Sequence, residues 1–258
     1  MRQSADSKGT PTVAALSRSL ALLEAVLADR DGSSMATIAA RVGLPKATAH
    51  RQATTLLQDG FLRRLATGQL IAGPRLVALA QMLDHRQVVV AAAAPVLHRL
   101  ALKLGCVAQS GTLENDMVTY RIKTGQGAEG LFTRVGLQLE AYCTGIGKVL
   151  LAHLSERERE AYLATGPFPA LTTHTITEPA ALRVELQRIR AQGYARDNEE
   201  ITEGLVCFAA PLRIGEGEVV AAISVSRLTE DLRPGLQAAT INALLSAACE
   251  IEAAIRTG

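Results

Sequence analysis

The sequence predicts an α+β chain in two parts, and three observations carry that reading. First, Gly43-Leu44-Pro45-Lys46-Ala47-Thr48-Ala49-His50-Arg51 sets turn residues between two runs of helical spacing. Ile38, Ala39 and Val42 form the run before it; Ala49, Ala53, Leu56 and Leu57 form the run after it. Second, beyond Cys106 the helical period gives way to short strand-like runs joined by turn residues. Third, the net charge of +2 hides an asymmetry. Residues 1–75 hold ten basic and five acidic residues, and the remainder holds seventeen and twenty. A basic first third and an acidic remainder suit one part for nucleic acid and another for a different partner. A chain of 258 residues with 48% apolar residues can bury two ordinary cores. Aromatics are only 3% and Trp is absent, so those cores are aliphatic.

Residues 1–11 are polar and lack the apolar core of a signal peptide, so they read as a disordered tail. Residues 12–29 form an amphipathic helix with Leu16, Leu20, Leu23 and Leu27 on one face. Asp31-Gly32-Ser33 ends it, and Ser33 or Ser34 can cap the next helix. Gly43 fits the following turn because glycine takes positive φ without steric cost. Pro45 suits the start of the next helix. That helix turns Ala49, Ala53, Leu56 and Leu57 inward and leaves Lys46, Thr48, His50 and Arg51 largely outside. Helix, tight turn and second helix with a basic outer face form the pattern of a helix-turn-helix, whose second helix can enter the major groove of DNA. An ordinary helical hairpin with a solvated polar face has the same spacing. Two short strands follow, Phe61 to Leu65 and Gln69 to Ala72, joined by Ala66-Thr67-Gly68. They form a basic wing whose Arg63 and Arg64 can lie on the sugar–phosphate backbone.

The run GLPKATAHRQATTLLQDGFLRR resembles the winged helix-turn-helix of the IclR family of bacterial transcription regulators, the isocitrate lyase regulator type. Later motifs match in the same order, so the resemblance covers nearly the whole chain after the first dozen residues. It implies that the first helix helps form a dimer; on spacing alone it is equally a core helix.

Pro74 to Asp84 reads as a connecting helix, and His85 to Leu104 as a second long one that Pro95 should kink or restart. The expected organisation is a tail over 1–11, a winged helix-turn-helix domain over 12–73, a helical linker over 74–85 and a second domain over 86–258. Val107 to Leu113 and Met117 to Lys123 form a hairpin about Glu114-Asn115-Asp116. Short strands are expected around Leu131-Phe132 and over Leu137 to Ala141. Helices follow over Gly145 to Leu154, Glu156 to Ala164 and Pro179 to Gln192, then a strand from Tyr194. Leu205 to Ile214 and Val219 to Ser226 form a second hairpin across Gly215-Glu216-Gly217, and Pro234 to Arg256 a closing amphipathic helix. Hairpin strands flanked by helices imply a mostly antiparallel sheet. The resemblance implies a GAF-like effector-binding domain.

Several motifs mislead. Gly125-Gln126-Gly127-Ala128-Glu129-Gly130 matches GxGxxG, but a strand-like run follows where a dinucleotide site needs a helix. It reads as a flexible loop that can cover a pocket. Gly147-Lys148 lacks the other residues of a phosphate-binding loop. The five histidines show no HxxxH or HExxH spacing, and Cys106, Cys143, Cys207 and Cys249 show no CxxC, so no metal or cofactor is expected. Cys207 with His174 as base, or a pair from Asp197, Glu199 and Glu200, could be imagined as catalytic, but a structural thiol and a solvated turn are commoner.

Another reading joins these residues. GYARDNEE over 193–200, Gly204-Leu205-Val206-Cys207, Ala221 to Ser226 and Cys143-Thr144-Gly145-Ile146-Gly147-Lys148 are similar to the motifs of the IclR effector domain. In that family a small organic acid contacts residues matching Gly145, Ile146, Asp197, Cys207, Ser224 and Ser226. Their chemistry is coherent without the family. Gly145 and Ile146 open a helix, so their N–H groups can hold a carboxylate. Ser224 and Ser226 share one face of a strand. A buried Asp197 can accept a hydroxyl, or donate if desolvation raises its pKa.

The expected function is a ligand-responsive transcription regulator and not an enzyme. It would sense a keto, hydroxy or aromatic acid and act as a homodimer or dimer of dimers on double-stranded operator DNA. Widely spaced cysteines and no apolar run of membrane-spanning length point to a cytoplasmic protein without a membrane partner. The alternative is a small-molecule enzyme of GAF-like fold that has kept a helical N-terminal extension.

Overall fold

The computed structural model describes residues 13–82, 85–214, 217–233 and 235–257. The tail over 1–11, residues 83–84 of the connecting helix, residues 215–216 of the second hairpin turn and Pro234 lie outside the described residues. The chain divides into two compact units, Met1–Asp84 and His85–Gly258.

The first unit contains α1 (Ala14–Ala28), α2 (Met35–Arg41), α3 (Lys46–Gln58), β1 (Leu62–Arg64), β2 (Leu70–Ala72) and α4 (Pro74–Met82). Ser34 caps α2 by accepting from the Thr37 amide at 3.2 Å. Gly43, at φ +65°, makes the turn between the two helices. Pro45 is the N-cap of α3, one residue before the position expected from sequence. Leu22, Leu23 and Val26 of α1 pack on Ile38, Ala49, Ala53 and Leu62. This divides the expected leucine stripe. Leu23 belongs to the core, whereas Val13, Leu16, Leu20 and Leu27 are exposed. Within this unit, the buried residues of α1 all lie in its C-terminal half.

The second unit opens with α5 (His85–Leu104), which runs through Pro95 as one helix rather than restarting there. Ala93, Val96 and Leu97 are buried on either side of the proline, and this packing holds the turn that lacks a hydrogen bond. The sheet holds β3 (Val107–Glu114), β4 (Met117–Gly125), β5 (Gln138–Glu140), β6 (Ala195–Asn198), β7 (Leu205–Ile214) and β8 (Glu218–Leu228). Their spatial order is β5-β4-β3-β8-β7-β6, and every pairing is antiparallel. Asn115 and Asp116 both take positive φ, as a two-residue hairpin turn requires. No strand forms at Leu131-Phe132; the segment is an irregular loop after a single 3-10 turn at Ala128–Gly130.

Alternation along the strands builds two layers. Val206, Phe208, Ile223 and Val225 face α5 and α9 (Leu236–Thr257). Ala195, Ala209 and Ala222 face α6 (Gly145–His153), α7 (Glu156–Leu163) and α8 (Pro179–Gln192). The pairing of β3 with β4 shifts by one residue at Arg121, so Ser110 lies opposite Ile122 and Gly111 opposite Tyr120. This bulge puts Tyr120 in one layer and Ile122 in the other. α9 corrects one expectation. Over Leu236–Arg256 its mean hydropathy of 1.3 makes it long and apolar enough, by length and composition, to cross a membrane. Its stripe of Thr240, Leu244, Ala248 and Ile251 is buried.

Candidate functional site

One cavity on the α6 side of the sheet gathers all six residues singled out as effector contacts. Gly145 and Ile146 enter it from α6, Asp197 from β6, Cys207 from β7, and Ser224 and Ser226 from β8. Register explains the meeting: Asp197 pairs with Cys207, Cys207 with Ser226 and Ala209 with Ser224. Side chains at paired positions share a face, so the acid, thiol and hydroxyls point the same way. Gln109, Tyr120, Leu131, Phe132, Thr133, Thr144, Ile201 and Leu205 complete the lining.

The start of α6 faces this cavity. Thr144 is the N-cap and accepts the Gly147 amide at 3.1 Å, while the Lys148 amide bonds to the Thr144 carbonyl. The amides of Gly145 and Ile146 therefore have no intrahelical acceptor. A Cβ at Gly145 would come within 3.3 Å of Ala209, and one at Gly147 within 2.2 Å of the Ala141 carbonyl. Gly145 lets this helix end approach β7, and Gly147 lets it approach the loop that leads into it.

Asp197 is 1% exposed. Its Oδ1 accepts the Glu200 amide at 2.8 Å. Burial pushes its pKa up to about 7, against the opposing pull of Lys148 and of the Glu200 amide. At neutral pH its carboxyl can hold or release a proton. Cys207 lies 3.2 Å from the Ser226 hydroxyl, and burial followed by the Asp197 charge raises its pKa well above the usual thiol value. It is a neutral thiol and not an activated nucleophile.

Sequence reasoning missed two groups here. The first is Lys148, wholly buried and ion-paired with Glu200, with its Nζ 2.7 Å from the Arg196 carbonyl and 3.9 Å from Glu185. This lysine ties α6 to β6 and α8 beneath the cavity. The second is the pair of residues that fasten the cover. Gln109 donates to Thr133 Oγ1 at 2.6 Å, and Lys123 holds the carbonyls of Leu131 (2.9 Å) and Thr133. The glycine-rich stretch read as a possible cover does lead into this lid. No group of His, Cys, Asp and Glu suited to a metal ion occurs among the described residues.

The second candidate surface lies in the first unit. At roughly 100° per residue, the side of α3 opposite buried Ala49 and Ala53 carries Ala47, Arg51, Thr55 and Gln58. Arg51 is exposed and central, and Thr48 is half-buried at the margin. Lys46 and His50 are exposed toward one flank. There His50 and Thr54 line a cleft of about 470 Å³ with Arg64, Thr67 and Gln69 of the wing. Arg63 and Arg64 alternate, so they leave opposite faces of β1. Arg64 lines the cleft and donates to the Gly68 carbonyl at 3.1 Å.

A winged helix-turn-helix with a basic exposed recognition face, followed by a separate domain with a buried polar cavity, defines a helix-turn-helix transcription regulator. Residues 15–66 match the IclR helix-turn-helix domain, and residues 80–253 match the bacterial transcriptional regulator IclR C-terminal domain. The chain belongs to the IclR family of bacterial transcription regulators. It is 34% identical to the HTH-type transcriptional regulator BhcR of Paracoccus denitrificans, over 93% of this chain and 86% of that protein. It is 30% identical to the transcriptional repressor IclR of Escherichia coli, over 88% and 86%. Among solved structures it resembles an IclR homologue of Microbacterium hydrocarbonoxydans complexed with 4-hydroxybenzoate. That match has a TM-score of 0.63 and 28% identity over 95% of this chain and 100% of that one. These relatives are regulators, so the enzyme alternative is set aside.

Proposed function

We propose that this regulator senses a small organic acid in the cavity bounded by α6, β6, β7 and β8, and reads operator DNA through α3 and the wing. The observation that carries the reading is the meeting of two unpaired helix amides, a protonatable buried Asp197 and the hydroxyls of Ser224 and Ser226 in one enclosed space. The amides and the positive end of α6 suit a carboxylate. Protonated Asp197 can donate to a second oxygen of the ligand, and Ser224 and Ser226 can serve a further hydroxyl or keto group. The 4-hydroxybenzoate complex of the Microbacterium homologue supports an acid as the ligand class.

In this reading Lys46, Thr48, His50 and Arg51 meet base edges or nearby phosphates, and Arg63 and Arg64 meet the backbone. Residues 12–73 form the DNA-reading domain, 74–85 a helical linker and 86–258 the effector domain. The protein works in the cytoplasm, where its operator is. Exposed Leu16, Leu20 and Leu27 of α1, with Val13 just before it, bury against a second copy, giving a dimer that reads two half-sites or a dimer of dimers. The acid shifts DNA affinity only if it binds one arrangement of the heads better than another.

The test is fluorescence anisotropy on DNA selected from a random pool by the purified protein, with and without acids. A ligand effect lost in Asp197→Ala, with unliganded DNA affinity kept, supports the reading. An equal ligand effect in wild type and Asp197→Ala refutes the site. A monomer by light scattering at micromolar concentration, free and on DNA, refutes the assembly.

A further inference from the structure

Tyr194, just before β6, and Arg196, within it, are two residues apart and share one face. That face is turned away from the effector cavity. Tyr194 packs on the layer under α5 and α9, and the Arg196 guanidinium stands 6.0 Å over the Phe208 ring of the same layer. Asp197, the next residue, lines the effector cavity on the other side of the strand. A cleft of about 600 Å³ opens beside Tyr194 and Arg196. It runs past the 3-10 turn Thr229–Asp231 to Arg233 and the first turns of α9.

The positive charge of this cleft is uncompensated. Among the described residues neither Arg196 nor Arg233 has an ion pair or a side-chain hydrogen bond. Arg196 Nε is buried without a partner, whereas buried polar groups are as a rule hydrogen-bonded. Glu230 and Asp231 stand on the neighbouring turn but outside the lining. Tyr194, Thr229 and Gln237 bring further side-chain donors to the walls, and Leu232 and Ile241 an apolar stretch.

We propose that this cleft is a second ligand site, across β6 from the effector cavity, and that it takes a phosphate monoester. Two guanidinium groups match the charge of about −1.5 to −2 that such an ester carries at neutral pH. Their planar forks and the neutral donors can be shared among its three terminal oxygens. A single carboxylate would leave half of the positive charge unmet. Leu232 and Ile241 suit the carbon body of an ester better than a bare ion. The size lies within the range of small-molecule sites, roughly 300–1,000 Å³. The cleft shares no lining residue with the effector cavity, so this proposal stands apart from the sensor reading above.

The test is calorimetry on the full-length protein, in phosphate-free buffer, with glycerol 3-phosphate and glucose 6-phosphate against glycerol, glucose and succinate. At least one ester is expected to bind, and its neutral parent is not. Arg196→Gln and Arg233→Gln should each weaken that ester about tenfold or more, as loss of a hydrogen-bonded charge does. Arg157→Gln removes the same charge from an exposed site on α7 and should leave ester binding unchanged. Arg233 is exposed, so its variant keeps the test decisive should Arg196→Gln lower the unfolding temperature. No ester binding at millimolar concentration, or binding that survives Arg233→Gln, overturns the site. An equal loss in Arg157→Gln overturns it too, because the attraction is then one of overall charge. Succinate binding as tightly as the esters overturns the assignment to phosphate.

Discussion

Gln109 holds the floor of the effector cavity to its lid. Its Nε2 donates to Thr133 at 2.6 Å, and its Oε1 accepts the Ser226 hydroxyl at 3.4 Å. A ligand that recruits Ser226 therefore competes for the group that steadies Thr133. Gln109→Ala should cost about 0.5–1.5 kcal/mol of stability and raise amide exchange over residues 131–133. Unchanged exchange there would show that the latch lies elsewhere, with Lys123 the next candidate.

Asp197 makes both stability and ligand affinity depend on pH. Its carboxyl is protonated in the folded chain up to about pH 7 but ionises near its ordinary value of 3.8 once unfolded. Folding thus holds an extra proton between those values, and stability declines as pH rises through that window. Asp197→Asn should remove this slope, changing the stability gap between variant and wild type by up to about 4 kcal/mol from pH 4 to pH 8. An anionic ligand beside Asp197, with Glu200 nearby, should bind more weakly above pH 7 in wild type and not in the variant. Parallel pH profiles for the two proteins would contradict the assignment.

Lys148 carries a different liability. It is the cation facing Asp197, Glu200 and Glu185, and it is fully buried. Lys148→Met leaves buried carboxylates without their partner, a change that typically costs about 3–5 kcal/mol. Adding Glu200→Gln should recover part of the loss. Urea denaturation measures both, and additive losses in the double variant would mean the pair does not act as a unit.

On DNA, the outward position of Arg51 and the alternation of the wing separate two effects. Arg51→Ala should cost about 1–3 kcal/mol on the selected site and relax specificity. Arg64, beside His50 and Thr54, should contribute a phosphate contact. Arg64→Ala then lowers the salt slope by about one on any sequence, and Arg63→Ala by less. Equal slopes for the two wing variants would refute the division. Equal losses on specific and random DNA for Arg51→Ala would remove it as a base reader.

Much of this was legible because it depends on short-range pattern. Gly43 and the alanines of α3 define the helix-turn-helix, and strand alternation puts Ser224 and Ser226 on one face with Cys207 on the neighbouring strand of the same hairpin. What stayed hidden depends on contacts distant in sequence. Gln109 reaches the site because β3 pairs with β8, more than a hundred residues away. Lys148 sits among the small and apolar residues of α6, and only the fold of the 197–200 turn reveals its partner. Leu131-Phe132 has strand-like residues, but no strand lies beside it to pair with, and it becomes the lid. The leucine stripe of α1 was visible as a stripe; which leucines the unit's own core would take was not.

The one-residue offset at Arg121 sets the tolerance of this site to lengthening and shortening of the chain. Tyr120 looks into the cavity and Ile122 into the opposite core because the extra residue turns the strand over between them. Exchanging a side chain at Arg121 leaves that inversion in place. Deleting the residue would restore strict alternation, sending the phenol ring into the aliphatic layer under α5 or the isoleucine into the cavity. β4 can thus absorb many changes of letter at this point but not a change of count.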